Sequence, residues 1–153
     1  MHLHRASVAQ CVELMASEDQ RALDAVREAG PAITAFIEAV EPGFALGGRV
    51  VYVGAGTSGR LGVLDSSEIP PTFQAPPGRF VGLIAGGDSA LRTSSEGMED
   101  DPRGALDALQ RLDLTNQDSV LAIAAGGTTP YALGTLVIAR ELASRCVVGL
   151  LSC

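Results

Sequence analysis

Over the first ~45 residues apolar side chains recur at helical intervals; beyond Gly48 they gather into short unbroken runs. Val8, Cys11, Val12 and Met15 make one helical stripe. Ser17-Glu18-Asp19-Gln20 has the form of a capping box opening a second helix, with Ala22, Leu23 and Val26 turned inward. Gly30-Pro31 ends that helix and starts a third, expected to stop near Pro42-Gly43. The later runs, at 49–53, 80–84, 120–124 and 147–151, are rich in valine, isoleucine and leucine. Such continuous hydrophobicity suits strands buried on both faces of a parallel sheet. Between and after them, 58–67, 89–97, 103–112 and 130–144 are predicted helices. The pattern therefore predicts an α/β fold, a three-layer domain over 47–153 behind an N-terminal helical segment over 1–46.

Composition narrows the class. At 46% hydrophobic and 19% charged, the 153 residues can bury a real core. No apolar run approaches the ~20 residues of a membrane span, and the opening "MHLHRASVAQ" has no apolar signal-peptide core. Cys11, Cys146 and Cys153 lack any CxxC or zinc spacing, so a reduced, cytoplasmic protein is expected. Net charge is −7 and all 11 basic residues are arginine. This balance offers no basic field to nucleic acid, and without lysine there is no Schiff-base chemistry. An anionic ligand must be held by local backbone dipoles and hydroxyls. The chain also ends on "CVVGLLSC", a core-like strand with no covering helix. That ending predicts a fragment, or a chain completed by a partner.

The candidate chemistry centres on "VVYVGAGTSGR", where Gly54-x-Gly56-x-x-Gly59 follows the first strand. A glycine turn between a strand and a helix N-terminus is an anion site. A dinucleotide fingerprint would also need an acidic residue about 20 positions on; here Asp88 lies 29 positions after Gly59. Thr57 and Ser58 add two hydroxyls, which suit a terminal phosphate monoester. A sugar-phosphate loop is therefore preferred over a dinucleotide loop or a purely structural turn. A second small, hydroxyl-bearing loop, "AAGGTTP", follows the third strand and precedes a helix, with Gly126, Gly127, Thr128 and Thr129 at its centre. Two such loops at carboxyl ends of parallel strands are where an open α/β sheet binds ligand.

"GGRVVYVGAGTSGRLGVLDSSEIPPTF", "VGLIAGGDSAL", "EGMEDD" and "TTPYALG", in that order, resemble the N-acetylmuramic acid 6-phosphate etherases of the sugar isomerase (SIS) superfamily, which also includes the glucokinase regulatory protein. "VELMASEDQRALDAV" resembles the leading helices of that family, so the likeness runs from about Arg5 to Cys153. The resemblance implies a SIS-type parallel sheet and cleavage of the lactyl ether to N-acetylglucosamine 6-phosphate and D-lactate, with neither cofactor nor metal. It places the family's proton donor, in "SE-x-PPT", at Glu68, and its second active-site glutamate, in "EG-x-ED", at Glu99. The phosphate falls to Gly56, Thr57, Ser58 and Gly59. Elimination needs a base beside the sugar carbonyl and an acid at the departing ether oxygen, and two carboxyl groups can divide that work. Glu99 is assigned as base and Glu68 as acid. A helix from Ser58 would put Glu68 about 15 Å from the phosphate loop, so Glu68 is expected to serve the partner's site in a homodimer.

Two departures stand against the family pattern. The family's "AASGRTP" has a phosphate-contacting serine and an arginine where this chain has Gly126 and Thr128, and the family continues well past Cys153. The alternative is a non-catalytic SIS module that binds or senses a sugar phosphate, or an inactive fragment. A small-molecule sugar phosphate is the expected partner under either reading, with no nucleic acid and no membrane.

Overall fold

The computed structural model describes residues 3–95 and 97–153. They divide into two compact units, one running up to Glu38 and the other from Ala39 to Cys153.

In the first unit, α1 (Val8–Glu28) is one uninterrupted helix, and α2 (Gly30–Ala45) begins after the Ala29 cap and runs on into the second unit. The reciprocal cap lies at Ser7, whose side chain accepts from Gln10 N–H while its own N–H donates to Gln10 Oε1 (2.8 Å). No helix begins at Ser17; its hydroxyl donates to the Leu14 carbonyl at 2.8 Å. With neither glycine nor proline between 8 and 28, nothing breaks the helix there. Glu18 and Asp24 instead pair with Arg21 and Arg27 one turn on. Leu23 and Val26, expected inward, are exposed.

The second unit holds β1 (Val50–Gly54), α3 (Gly56–Phe73), β2 (Phe80–Ile84), α4 (Leu106–Leu112), β3 (Ser119–Ile123), α5 (Pro130–Leu142) and β4 (Val147–Leu151). The strands form one parallel sheet in the order β2-β1-β3-β4, with Val50 opposite Phe80 and Ser119, and Ser119 opposite Val147. The α/β class and the parallel sheet are as expected. Every strand lies within one residue of its predicted position, because an apolar run buried on both faces is a strong signal.

Val51, Val53 and Val120 pack with Leu109 of α4 and with Tyr131 and Ile138 of α5, all buried in one core. Each such aliphatic side chain contributes roughly 1.5–3 kcal/mol by leaving water. α3 packs on the sheet through glycines: a Cβ at Gly62 would sit 2.9 Å from Tyr52 Cβ, and one at Gly82 only 2.6 Å from Val63 Cα. At the amino ends of the strands Asp118, 2% exposed, forms a salt bridge with Arg49 at 2.8 Å. The same carboxylate accepts from the backbone N–H groups of Arg49 and Thr115.

Three predicted helices differ in extent. The stretch 89–97 forms only a 3-10 turn, Asp88–Leu91; Gly86 and Gly87 have positive φ, and the Ser95 hydroxyl returns to the Ala85 carbonyl. α4 starts three residues late, because the Asp101 carboxylate holds the Arg103 N–H in a turn. α3 instead continues through Pro70 and Pro71 to a left-handed cap at Gln74.

Candidate active site

The site begins where β1 gives way to α3. Gly59 lies against the strand end, where a Cβ would meet the Gly54 carbonyl oxygen at 2.5 Å. Gly56 has φ 53° and open space where a side chain would be, so the loop needs glycine there and leaves room for a ligand. No side chain caps α3, whose N-cap is Ala55. Its first-turn N–H groups, with the exposed Thr57 and half-buried Ser58, therefore offer donors at a positive helix end.

Beside this turn is a cavity of about 100 Å³, with Gly56, Arg60, Ser94, Ser95 and Glu99 in its lining together with alanines from the ends of β1 and β2. Three separate segments meet here. Arg60 is half-buried, and its Nε donates to the Leu91 carbonyl at 3.2 Å, tying α3 to the stretch after β2. The carbonyl of Glu99 accepts the Tyr131 N–H at 2.9 Å, which ties its segment to the start of α5. Gly134 makes that contact possible, since a Cβ there would fall 1.8 Å from the Pro102 carbonyl oxygen. Burial pushes the Tyr131 hydroxyl up and keeps it neutral. Sequence reading had not singled out Arg60, Ser94 or Ser95. Their only signals are the arginine closing "GTSGR" and a serine pair in an otherwise featureless stretch.

Glu99 thus shares a cavity with Gly56, whereas Glu68 does not. It is exposed, twelve residues beyond Gly56 on the unbroken α3, about 18 Å along the axis at 1.5 Å per residue. Glu96, which opens "EGMED", lies outside the described residues. Gly126, Gly127, Thr128 and Thr129 follow β3 and do not line the cavity. Their loop nevertheless leaves the sheet beside the first one, because Gly54 and Ile123 are register partners. Gly127 has φ 67°, and Thr129 is the N-cap of α5 with Pro130 in its first turn. β1 and β3 are also the point from which the sheet grows in opposite directions, where open α/β sheets bind ligands.

Among the described residues no cluster of His, Cys, Asp and Glu could hold a metal ion, and no helix is long and apolar enough to cross a membrane.

Comparison with known proteins agrees with this architecture. The chain is 48% identical over 136 residues to the N-acetylmuramic acid 6-phosphate etherase of Jannaschia sp. (strain CCS1), covering 89% of this chain and 43% of that protein. It is 48% identical over 139 residues to the etherase of Bacteroides thetaiotaomicron, covering 91% and 50%. Against the etherase of Rhizobium rhizogenes identity is 51% over 125 residues, covering 82% and 41%. The chain spans about half the length of these relatives. Residues 32–140 match the model of the glucokinase regulatory protein N-terminal SIS domain, a span that takes in both glycine-hydroxyl loops and three of the four strands. By that match across most of its length, the chain belongs to the SIS family of the glucokinase regulatory protein N-terminal type.

Proposed function

We propose that this chain is the sugar-phosphate-binding part of an N-acetylmuramic acid 6-phosphate etherase, a cytoplasmic lyase that works without cofactor or metal. The observation that supports this most is that Glu99 lines the same cavity as Gly56 of the phosphate loop. The N–H groups of Gly56, Thr57 and Ser58 and the hydroxyls of Thr57 and Ser58 hold the phosphate, and Gly59 packs the turn against β1. The loop of Gly126, Gly127, Thr128 and Thr129 closes on the sugar from the neighbouring strand end. Glu99 removes the proton beside the C1 carbonyl of the open-chain sugar, the C3–O bond breaks, and a carboxylic acid protonates the departing lactyl oxygen. Water then adds to the unsaturated sugar, giving N-acetylglucosamine 6-phosphate and D-lactate. Glu68 is that acid, supplied by the second chain of a homodimer, because its own α3 holds it a helix length away from its own loop.

D-lactate release from N-acetylmuramic acid 6-phosphate tests the reading. Glu99→Gln and Glu68→Gln should each lower the rate about 10²–10⁴-fold. Mixing the two inactive chains should restore about a quarter of the activity, since half the dimers are mixed and each has one complete site. No recovery on mixing means that Glu68 does not act across a dimer. A second reading, a sensor that binds sugar phosphate without cleaving it, draws support from the family match and from the uncharged third-strand loop at Gly126 and Thr128. Binding of N-acetylglucosamine 6-phosphate with no D-lactate release selects it.

A further inference from the structure

We infer that Arg60 is the specificity-determining cation of this cavity, pairing directly with an anionic group of the bound sugar phosphate. The inference rests on the sugar-phosphate reading above but not on the etherase chemistry.

The chain as a whole repels anions, with a net charge of −7. The loop at 124–129 has no charged side chain, and the β1–α3 loop has none before Arg60. Among the described residues Arg60 is the single positive charge in the lining of the cavity, which it shares with the acidic Glu99. An anionic ligand entering beside a carboxylate meets repulsion unless a cation is at hand. Arg60 supplies it, one turn into α3 and therefore at the positive end of the helix dipole.

Its side chain is also prepared for that task. The bond from Nε to the Leu91 carbonyl uses one donor and fixes the guanidinium plane. No carboxylate among the described residues forms a salt bridge with it, unlike Arg21, Arg27, Arg49 and Arg103. A half-buried guanidinium with four N–H donors left over suits the paired oxygens of a phosphate or carboxylate. Arg60 therefore reads one anionic substituent of the ligand.

The substituent is the phosphate or the lactyl carboxylate, and chemical protection distinguishes them. Wild-type chain is treated with phenylglyoxal, which modifies arginine, and the Arg60 peptide is quantified by mass spectrometry. N-acetylmuramic acid 6-phosphate should slow modification of Arg60 at least five-fold while other exposed arginines react unchanged. If the phosphate is the group read, N-acetylglucosamine 6-phosphate and inorganic phosphate protect as well. If it is the lactyl carboxylate, they do not, and D-lactate does. Failure of every one of these ligands to protect Arg60 at saturation overturns the inference. In parallel, Arg60→Gln should raise KM at least ten-fold with a much smaller change in kcat, and Arg60→Lys should recover part of that loss. Should Arg60→Gln fail to fold for want of the Leu91 contact, the wild-type protection result decides alone. Protection without D-lactate release leaves Arg60 assigned and removes the etherase reading; D-lactate release without protection removes only the assignment of Arg60.

Discussion

Replacing Asp118 tests how the two central strands are held together. Its carboxylate accepts from Arg49 N–H at 2.7 Å, Arg49 Nε at 3.0 Å and Arg49 Nη2 at 2.8 Å. It also accepts from Thr115 N–H at 2.8 Å and from the Thr115 hydroxyl at 3.1 Å. Asp118→Ala strands these donors and leaves a partly buried guanidinium without its counter-ion, a loss of about 3–5 kcal/mol for a broken buried pair. Asp118→Asn keeps the shape and some acceptors but loses the charge, and should cost less, about 1.5–3 kcal/mol. Burial alone would raise the carboxyl's pKa. The Arg49 guanidinium and the backbone N–H groups of Thr115 and Arg49 outweigh it and hold the group below its ordinary value. A depressed carboxyl contributes stability that is complete above the unfolded value of about 3.9 and fades as pH falls through the folded value. The difference between wild type and Asp118→Asn should therefore be full at pH 7 and shrink below about pH 4. Urea unfolding followed by tyrosine fluorescence suits the measurement, since there is no tryptophan and both tyrosines, Tyr52 and Tyr131, lie in the α/β unit. A loss under about 1 kcal/mol for Asp118→Ala at pH 7, or a pH-independent difference for Asp118→Asn, refutes the reasoning.

Other perturbations follow from close contacts. Gly59→Ala puts a methyl 2.5 Å from the Gly54 carbonyl and 2.7 Å from Ile84 Cγ1, and should cost about 1–3 kcal/mol in the same urea assay. Gly134→Ala pushes back the Pro102 carbonyl and with it the segment of Glu99. Its kcat for D-lactate release should drop at least about ten-fold with little change in sugar-phosphate affinity, as a small displacement of a reacting group allows. Cys146 is fully buried, and burial pushes its thiol up to about 11. A thiol reagent at pH 8 should label the exposed Cys153 within minutes and Cys146 only once urea unfolds the sheet.

The strands were legible because Val51, Val53 and Val120 sit in runs that have no polar face. The helices were less so. The capping box at Ser17 has the right residue types, but Ser7 and Gln10 have them as well, and only Ser7 stands where the chain enters the helix. The helix predicted over 58–67 ends short of Pro70-Pro71, yet the serines before them turn their hydroxyls to the Val63 and Leu64 carbonyls and the helix runs on to Phe73. In the site, Gly56 and Gly59 announced themselves through spacing, and Glu99 entered through family resemblance. Arg60, Ser94 and Ser95 could not be grouped from sequence, because the cavity is assembled from three stretches that only the β2-β1-β3 order brings side by side.

The glycine contacts between α3 and the sheet have a dynamic consequence. Where Gly59 meets the Gly54 carbonyl and Gly82 meets the Val63 Cα, main chain comes close enough to main chain that neither glycine has room for a side chain. The Gly59 end of the phosphate loop then has no local opening of its own, and its amide should exchange with solvent deuterium only when the β1–β2 pairing itself comes apart, whereas the uncapped amides of Gly56 and Thr57 exchange at once. The amide of Gly59, bonded to the Ala55 carbonyl, should exchange as slowly as the strand amides behind it. Such a loop meets its ligand already in shape, and little ordering entropy is charged against the affinity.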